Sequence, residues 1–205
     1  MERMHPAIFL DRDGVIIENR ELYVRSWTDV TFYPSSLAAL AKLRQSPYKI
    51  VIVTNQSAVG RGLISLATAD QINQQFQKII EAAGGRVDGL YMCPHKPEDR
   101  CACRKPLPGL FLRAASDLSL DLLHSIMIGD ALSDVQAGQE AGVNRTILLR
   151  TGRGTAQLAL STTRELKPFE VFDSLSDAIN SIVDSINEAP RAAEGQMRAS
   201  DTLSE

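Results

Sequence analysis

The chain alternates short apolar runs with longer stretches in which apolar residues return every three or four positions. The runs predict strands at Ala7–Leu10, Lys49–Thr54, Gly89–Met92, Ser125–Ile128 and Thr146–Leu149. Between the second and third, Ile72, Phe76, Ile79, Ile80 and Ala83 fall at i, i+4, i+7, i+8 and i+11, one face of a helix, with Ser65 ahead of it and Gly84 behind it. Phe111, Ala114, Ala115 and Leu118 repeat the pattern, as do Leu175, Ile179, Ile182, Val183 and Ile186. Such stripes are core faces and carry no chemistry. Strands alternating with helices predict the α/β class, a mainly parallel sheet covered on both faces. From Pro190 to Glu205 the periodicity stops and Ala, Ser, Glu, Arg and Gly dominate, which predicts a disordered tail over 190–205 behind one domain over 1–189.

Composition narrows the partners. A chain of 205 residues that is 44% hydrophobic can bury a sizeable core. Its formal net charge of −3 provides no basic face, so nucleic acid is not an expected partner. No apolar run approaches a membrane span, and Met1–Pro6 lacks the apolar segment of a signal peptide. A cytoplasmic monomer acting on a small soluble molecule is expected.

The chemistry gathers where strands end. Ile8–Gly14 reads IFLDRDG, and in an extended chain residues i and i+2 point the same way, about 6.6 Å apart, so Asp11 and Asp13 can converge on one ion or substrate. Val51–Ser57 (VIVTNQS) runs into the uncharged donors Thr54, Asn55, Gln56 and Ser57, which suit an anionic oxygen. Arg104 and Lys105 form an adjacent cation pair in CRKPLPG, and Ile126–Asp134 (IMIGDALSD) ends in Gly129 and Asp130, with Asp134 four residues on. Taken singly these are an ordinary turn, a helix cap and a solvated basic pair. Open α/β sheets, however, bind ligands beyond the carboxyl ends of their strands, so four such ends would share one pocket. Carboxylates there favour Mg²⁺, which completes its shell with phosphate oxygens, and the cations and donors would neutralise the rest. That inventory is the one phosphoryl transfer requires.

Asp11-x-Asp13-Gly14, Thr54, Lys105 and Gly129-Asp130-x-x-x-Asp134 resemble, in order, the four motifs of the haloacid dehalogenase-like phosphatases, over roughly residues 6–150. The resemblance implies a Rossmann-like three-layer sandwich. It also implies that Asp11 attacks phosphorus to form an aspartyl-phosphate, that Asp13 protonates the leaving alcohol and later activates water, and that Thr54 and Lys105 hold the phosphoryl oxygens. Mg²⁺ would be bound by Asp11, the backbone carbonyl of Asp13 and Asp130, with Asp134 either a ligand or a supporting partner.

All three cysteines lie in Cys93-Pro94-His95 and Cys101-Ala102-Cys103. Cys93, His95, Cys101 and Cys103 make a complete tetrahedral Zn²⁺ set with no vacant position, so a structural ion is expected. A disulfide would leave one cysteine over. Because Cys103 directly precedes Arg104 and Lys105, the ion would fix the loop presenting both cations. This zinc-binding loop is one part of a small loop cap, since no segment between the motifs is long enough for a large inserted domain.

DRDG, TNQS, CPH and CRKPLPG together look like the D-glycero-D-manno-heptose 1,7-bisphosphate 7-phosphatases and the similar histidinol-phosphate phosphatases, the heptose enzymes being the nearer match. The resemblance implies hydrolysis of the 7-phosphate during nucleotide-heptose synthesis for surface glycans. It further implies substrate contacts from Arg104, from Asn55, Gln56 and Ser57, and from the Asn19–Tyr23 loop. The chain departs from the pattern in a short loop between the zinc pairs, an extra residue near Asn19–Tyr23, and Ala131 where some members have a basic side chain, so the substrate and its anomer stay open. Histidinol phosphate, a nucleic-acid 3′-phosphate and a non-catalytic zinc-stabilised module are the alternatives. Arg150 and Arg153 face either the pocket rim or solvent, and His5 and His124 have no visible partners.

Overall fold

The computed structural model describes residues 4–160, 163 and 165–201. Its strands are β1 (His5–Leu10), β2 (Lys49–Asn55), β3 (Gly89–Cys93), β4 (Leu120–Gly129), β5 (Arg145–Leu149) and β6 (Glu170–Phe172). All neighbours pair in parallel, in the order β3-β2-β1-β4-β5-β6. The helices are α1 (Ser36–Lys42), α2 (Ser57–Gly60), α3 (Leu66–Ala82), α4 (Gly109–Leu118), α5 (Leu132–Ala141), α6 (Gly154–Leu158) and α7 (Leu175–Asp201). The sheet is thus wholly parallel, with layers of helix on both faces. Beyond the five expected strands it gains β6, whose three residues are too few to show a period.

The central strands are apolar throughout because each face meets a helical layer. Ile8, Leu10, Ile50, Ile52, Ile126, Ile128, Ile147 and Leu149 join Phe76 of α3 and Ile179 of α7 in one core, while Ala7, Phe9, Val51, Val53 and Met127 join Phe111 of α4 in the other. The expected helical stripes therefore lie on core faces, apart from Ala83, which is exposed just past α3. At the C-terminus α7 runs over Leu175–Asp201, and residues 202–205 lie outside the described residues.

Two features of this topology place the site. Strand order reverses around β1: the chain winds outward through β2 and β3, then returns to β1's other side as β4, so a crevice opens beyond the ends of β1 and β4. The segment after β1 turns tightly, with Ile16 and Ile17 N–H donating to Arg12 O, before Ile17 bridges Phe32. Phe32 stacks on Phe76 of α3, ring centroids 5.6 Å apart, which anchors the excursion between them. Residues 18–31 thereby form a loop flap beside the crevice.

Candidate active site

The crevice is a cleft of about 820 Å³. Asp11 stands where β1 ends, its backbone N–H still paired to Ile128 O of β4, and its carboxylate is almost fully buried. Asp11 Oδ1 accepts from Arg12 N–H at 2.8 Å and lies 2.9 Å from Lys105 Nζ. Lys105 is equally buried, and its three ammonium donors face three acceptors: Asp11 Oδ1, Asp134 Oδ1 at 2.8 Å and Val53 O at 2.8 Å. Asp134, in the first turn of α5, accepts from Ala131 N–H through Oδ2. Its Oδ1 is buried and makes no well-angled hydrogen bond despite the nearby ammonium, an oxygen with coordination capacity to spare.

Asp13 faces a separate set of donors. Arg12 Nε and Nη2 lie 3.1 and 3.2 Å from its two oxygens, and Gln56 Nε2 donates to Oδ2 at 2.8 Å. Thr54 Oγ1 is 3.4 Å from the same oxygen and accepts from Gln56 Nε2. Arg12 itself is only 2% exposed and donates through Nη1 to Asn73 Oδ1 on α3 at 2.7 Å. A charge buried that deeply requires partners on every side, and Asp13 and Asn73 supply them.

Asp130 directly follows β4, beneath the cleft, with no exposed surface. Arg153 grips it from the turn after β5, Nη2 at 2.8 Å from Oδ1 and Nε at 3.2 Å from Oδ2. Gly14 and Gly152 close over the carboxylate, and a Cβ on either would come within 2.1 and 2.3 Å of Asp130 Oδ2. Both glycines also take positive φ, +85° and +56°, which a side chain would resist. Asp11, Asp130 and Asp134 bring carboxylate oxygens within 4.8 Å of one another, a donor set suited to a hard divalent cation.

Burial dominates the electrostatics. It pushes the Asp11 carboxyl up to about 6, with Lys105 opposing and Asp134 and Asp13 adding to the rise. Burial likewise raises Asp130, against the pull of Arg153. For Lys105 burial acts downward, but Asp11 and Asp134 outweigh it and the pKa rises, so the ammonium stays charged.

Beside the cleft, Cys93 at the end of β3 meets His95, Cys101 and Cys103. Cys103 Sγ lies 3.3 Å from Cys93 Sγ, 3.5 Å from Cys101 Sγ and 3.3 Å from His95 Nδ1, and Cys93 Sγ is 3.6 Å from both Cys101 Sγ and His95 Nδ1. These separations exceed a disulfide bond and approach the edges, about 3.6–3.8 Å, of a tetrahedron built with Zn–S and Zn–N distances. The cysteines are free thiols, so the quartet could hold a metal ion.

The residues expected to carry catalysis, substrate binding or metal fall in or under the cleft or in this neighbouring quartet. Asp11, Asp13, Asn19, Tyr23, Asn55, Gln56, Ser57, Arg104, Lys105 and Asp134 line the cleft. The amides of the TNQS segment are engaged with protein: Asn55 with the Lys105 backbone, Gln56 with Asp13 and Thr54. Ser57 Oγ accepts from Arg104 Nη1, which also donates to His95 O, so the quartet and the cleft share one arginine. Arg12 and Asn73 are the additions, and Arg153, left between pocket rim and solvent by the sequence, lines the cleft. Asn73 has a signal in sequence, a lone amide inside an apolar helical stripe, whereas a buried Arg12 has none. Arg150 pairs with Asp173 and His124 with Asp121, so neither belongs to the site.

A wholly parallel sheet with an aspartate pair at the central strand end, a buried lysine and a further carboxylate pair defines a haloacid dehalogenase-like hydrolase. A family model described as "HAD-hyrolase-like" matches residues 102–178. The D-glycero-beta-D-manno-heptose-1,7-bisphosphate 7-phosphatase of Bordetella bronchiseptica is 41% identical over 152 residues, 74% of this chain and 84% of that protein. The enzyme of the same name from Photorhabdus laumondii is 34% identical over 197 residues, 93% of this chain and 96% of its own. The crystal structure of D,D-heptose 1,7-bisphosphate phosphatase from B. bronchiseptica, complexed with magnesium and phosphate, superposes with a TM-score of 0.82 at 36% identity, covering 88% of this chain and 99% of that one. The chain belongs to this family of haloacid dehalogenase-like heptose bisphosphate phosphatases. Among the described residues no helix is long and apolar enough to cross a membrane.

Proposed function

We propose that this protein is a Mg²⁺-dependent phosphoric monoester hydrolase that removes the 7-phosphate of D-glycero-β-D-manno-heptose 1,7-bisphosphate, as a cytoplasmic monomer with one catalytic domain over 1–189. The carrying observation is the buried Asp11–Lys105 contact at 2.9 Å, set beside an Asp13 held by its own donors. The named relatives support the substrate and its β anomer. Arg104 on the cleft wall offers the second phosphate a planar cationic partner.

Asp11 Oδ2, which takes no hydrogen bond among the described residues, attacks phosphorus while Lys105 and Arg12 N–H fix Oδ1. Lys105 and Thr54 neutralise the phosphoryl oxygens, and Asp13 gives its proton to the departing sugar oxygen as the P–O bond breaks. Asp13, now ionised, takes a proton from water, whose oxygen attacks the aspartyl-phosphate and releases phosphate with the Asp11 carboxylate restored. Mg²⁺ held by Asp11, Asp130 and the carbonyl of Asp13, with Asp134 as a further ligand or support, supplies charge neutralisation of the phosphoryl group. Zn²⁺ in the Cys93, His95, Cys101 and Cys103 quartet would hold the Arg104–Lys105 loop in place.

The test is phosphate release in Mg²⁺ from both anomers of the heptose bisphosphate, from histidinol phosphate and from a 3′-phosphorylated oligonucleotide, with Asp11→Asn as blank. Preference for the β anomer is expected. Preference for histidinol phosphate would replace the substrate, and no release from any would remove the enzyme.

A further inference from the structure

Arg153 occupies the turn after β5 and engages Asp130 with three donors: Nη2 at 2.8 Å from Oδ1, Nε at 3.2 Å from Oδ2, and its own backbone N–H at 2.9 Å from Oδ2. The carboxylate is fully buried, whereas the arginine side chain is 51% exposed and lines the cleft. One partner is therefore fixed and the other has room to move. A divalent cation bound by Asp11, Asp130 and Asp134 would have to share Asp130 with the guanidinium.

Charge counting shows what such sharing costs. Three carboxylates are balanced in full by one dication and the Lys105 ammonium, which touches two of them. The guanidinium is then surplus, and like charges in a buried site repel strongly. The same planar fork that fits a carboxylate bidentately fits a phosphate equally well, and a phosphate is the anion this cleft must attract.

We propose, on the reading that the three-carboxylate site takes Mg²⁺, that Arg153 is an exchanging counterion: it neutralises Asp130 until the dication binds, then turns into the cleft and pairs with the incoming phosphate group. Arg153 thus weakens Mg²⁺ binding to the empty enzyme and strengthens phosphate binding to the loaded one. Because coupling between sites is reciprocal, it also makes the two ligands support each other.

Calorimetric titration separates this from a purely orienting role. Mg²⁺ is titrated into the full chain and into Arg153→Gln, and inorganic phosphate is then titrated into each at saturating Mg²⁺. The variant is expected to bind Mg²⁺ severalfold more tightly and phosphate severalfold more weakly. Equal or weaker Mg²⁺ binding would make Arg153 an orienting donor for Asp130 and overturn the proposal, as would unchanged phosphate binding. Arg153→Lys, which keeps the charge and loses the fork, is expected between the two and serves if the glutamine variant fails to fold. A wild-type chain that binds no Mg²⁺ would overturn the metal reading itself, and this inference with it.

Discussion

Asn55 and Lys105 exchange two hydrogen bonds, Asn55 Nδ2 donating to Lys105 O at 3.1 Å and Lys105 N–H donating to Asn55 Oδ1 at 3.2 Å. The end of β2 thereby holds the backbone from which the buried ammonium reaches Asp11. This occupies the Asn55 amide, which the family resemblance assigned to substrate. Asn55→Ala should cost ~1–3 kcal/mol of stability and lower kcat by roughly 10- to 100-fold through a displaced Lys105. Steady-state kinetics with thermal melting checks it: a raised KM at unchanged kcat would return Asn55 to substrate binding.

Asp11 is a costly residue for the metal-free fold. Its carboxyl is raised by burial from 3.8 to about 6, so the folded state holds the proton more tightly than the unfolded chain. The sign follows: stability falls as pH rises from 3.8 through about 6, and the full cost is present at neutral pH. Asp11→Asn stays neutral throughout. It should lose all turnover yet gain about 1–3 kcal/mol at pH 7 in chelator, with a flatter stability profile across that window. Urea unfolding of both proteins on either side of the window measures this, and a variant no more stable than wild type at neutral pH would contradict it.

The strand ends at the cleft were readable because an apolar run that halts at polar residues carries its meaning locally, as at Leu10–Asp11 and Val53–Thr54. Parallel pairing followed from the alternation of strands and helices, and the C-terminal pooling of residues followed from parallel pairing. Arg12 was not readable, since arginine is almost never fully buried and only the tertiary encounter with Asp13 and Asn73 makes it so. Arg153 could be read only as rim or solvent, since the direction of its glycine-rich turn depends on Asp130, which follows β4.

The Cys93, His95, Cys101 and Cys103 quartet supports the cleft through Arg104, which reaches both His95 O and Ser57 Oγ. Cys101→Ser should therefore reduce the bound zinc, cost ~3 kcal/mol or more and lower activity while leaving Asp11 and Asp13 in place. Elemental analysis beside melting and phosphate release tests the chain of effects. Full zinc content in the variant would show that the ligand set is wrong.

Arg12 holds Asp13, the proposed general acid. Its guanidinium spans both Asp13 oxygens and ties them to Asn73 on α3, so this carboxyl is held by the core as well as by its own loop. Lysine keeps the charge but cannot serve three partners from one ammonium in this geometry. Arg12→Lys should lower kcat by roughly 10- to 100-fold, the range a misplaced general acid loses, and leave KM near wild type, because Arg12 is buried away from substrate. Asn73→Ala should move kcat the same way by less. Arg12→Ala should instead unfold the protein more easily by ~3–5 kcal/mol, since removing one partner strands the other beside the core. If Arg12→Lys turned over at the wild-type rate, Gln56 and Thr54 would suffice to position Asp13.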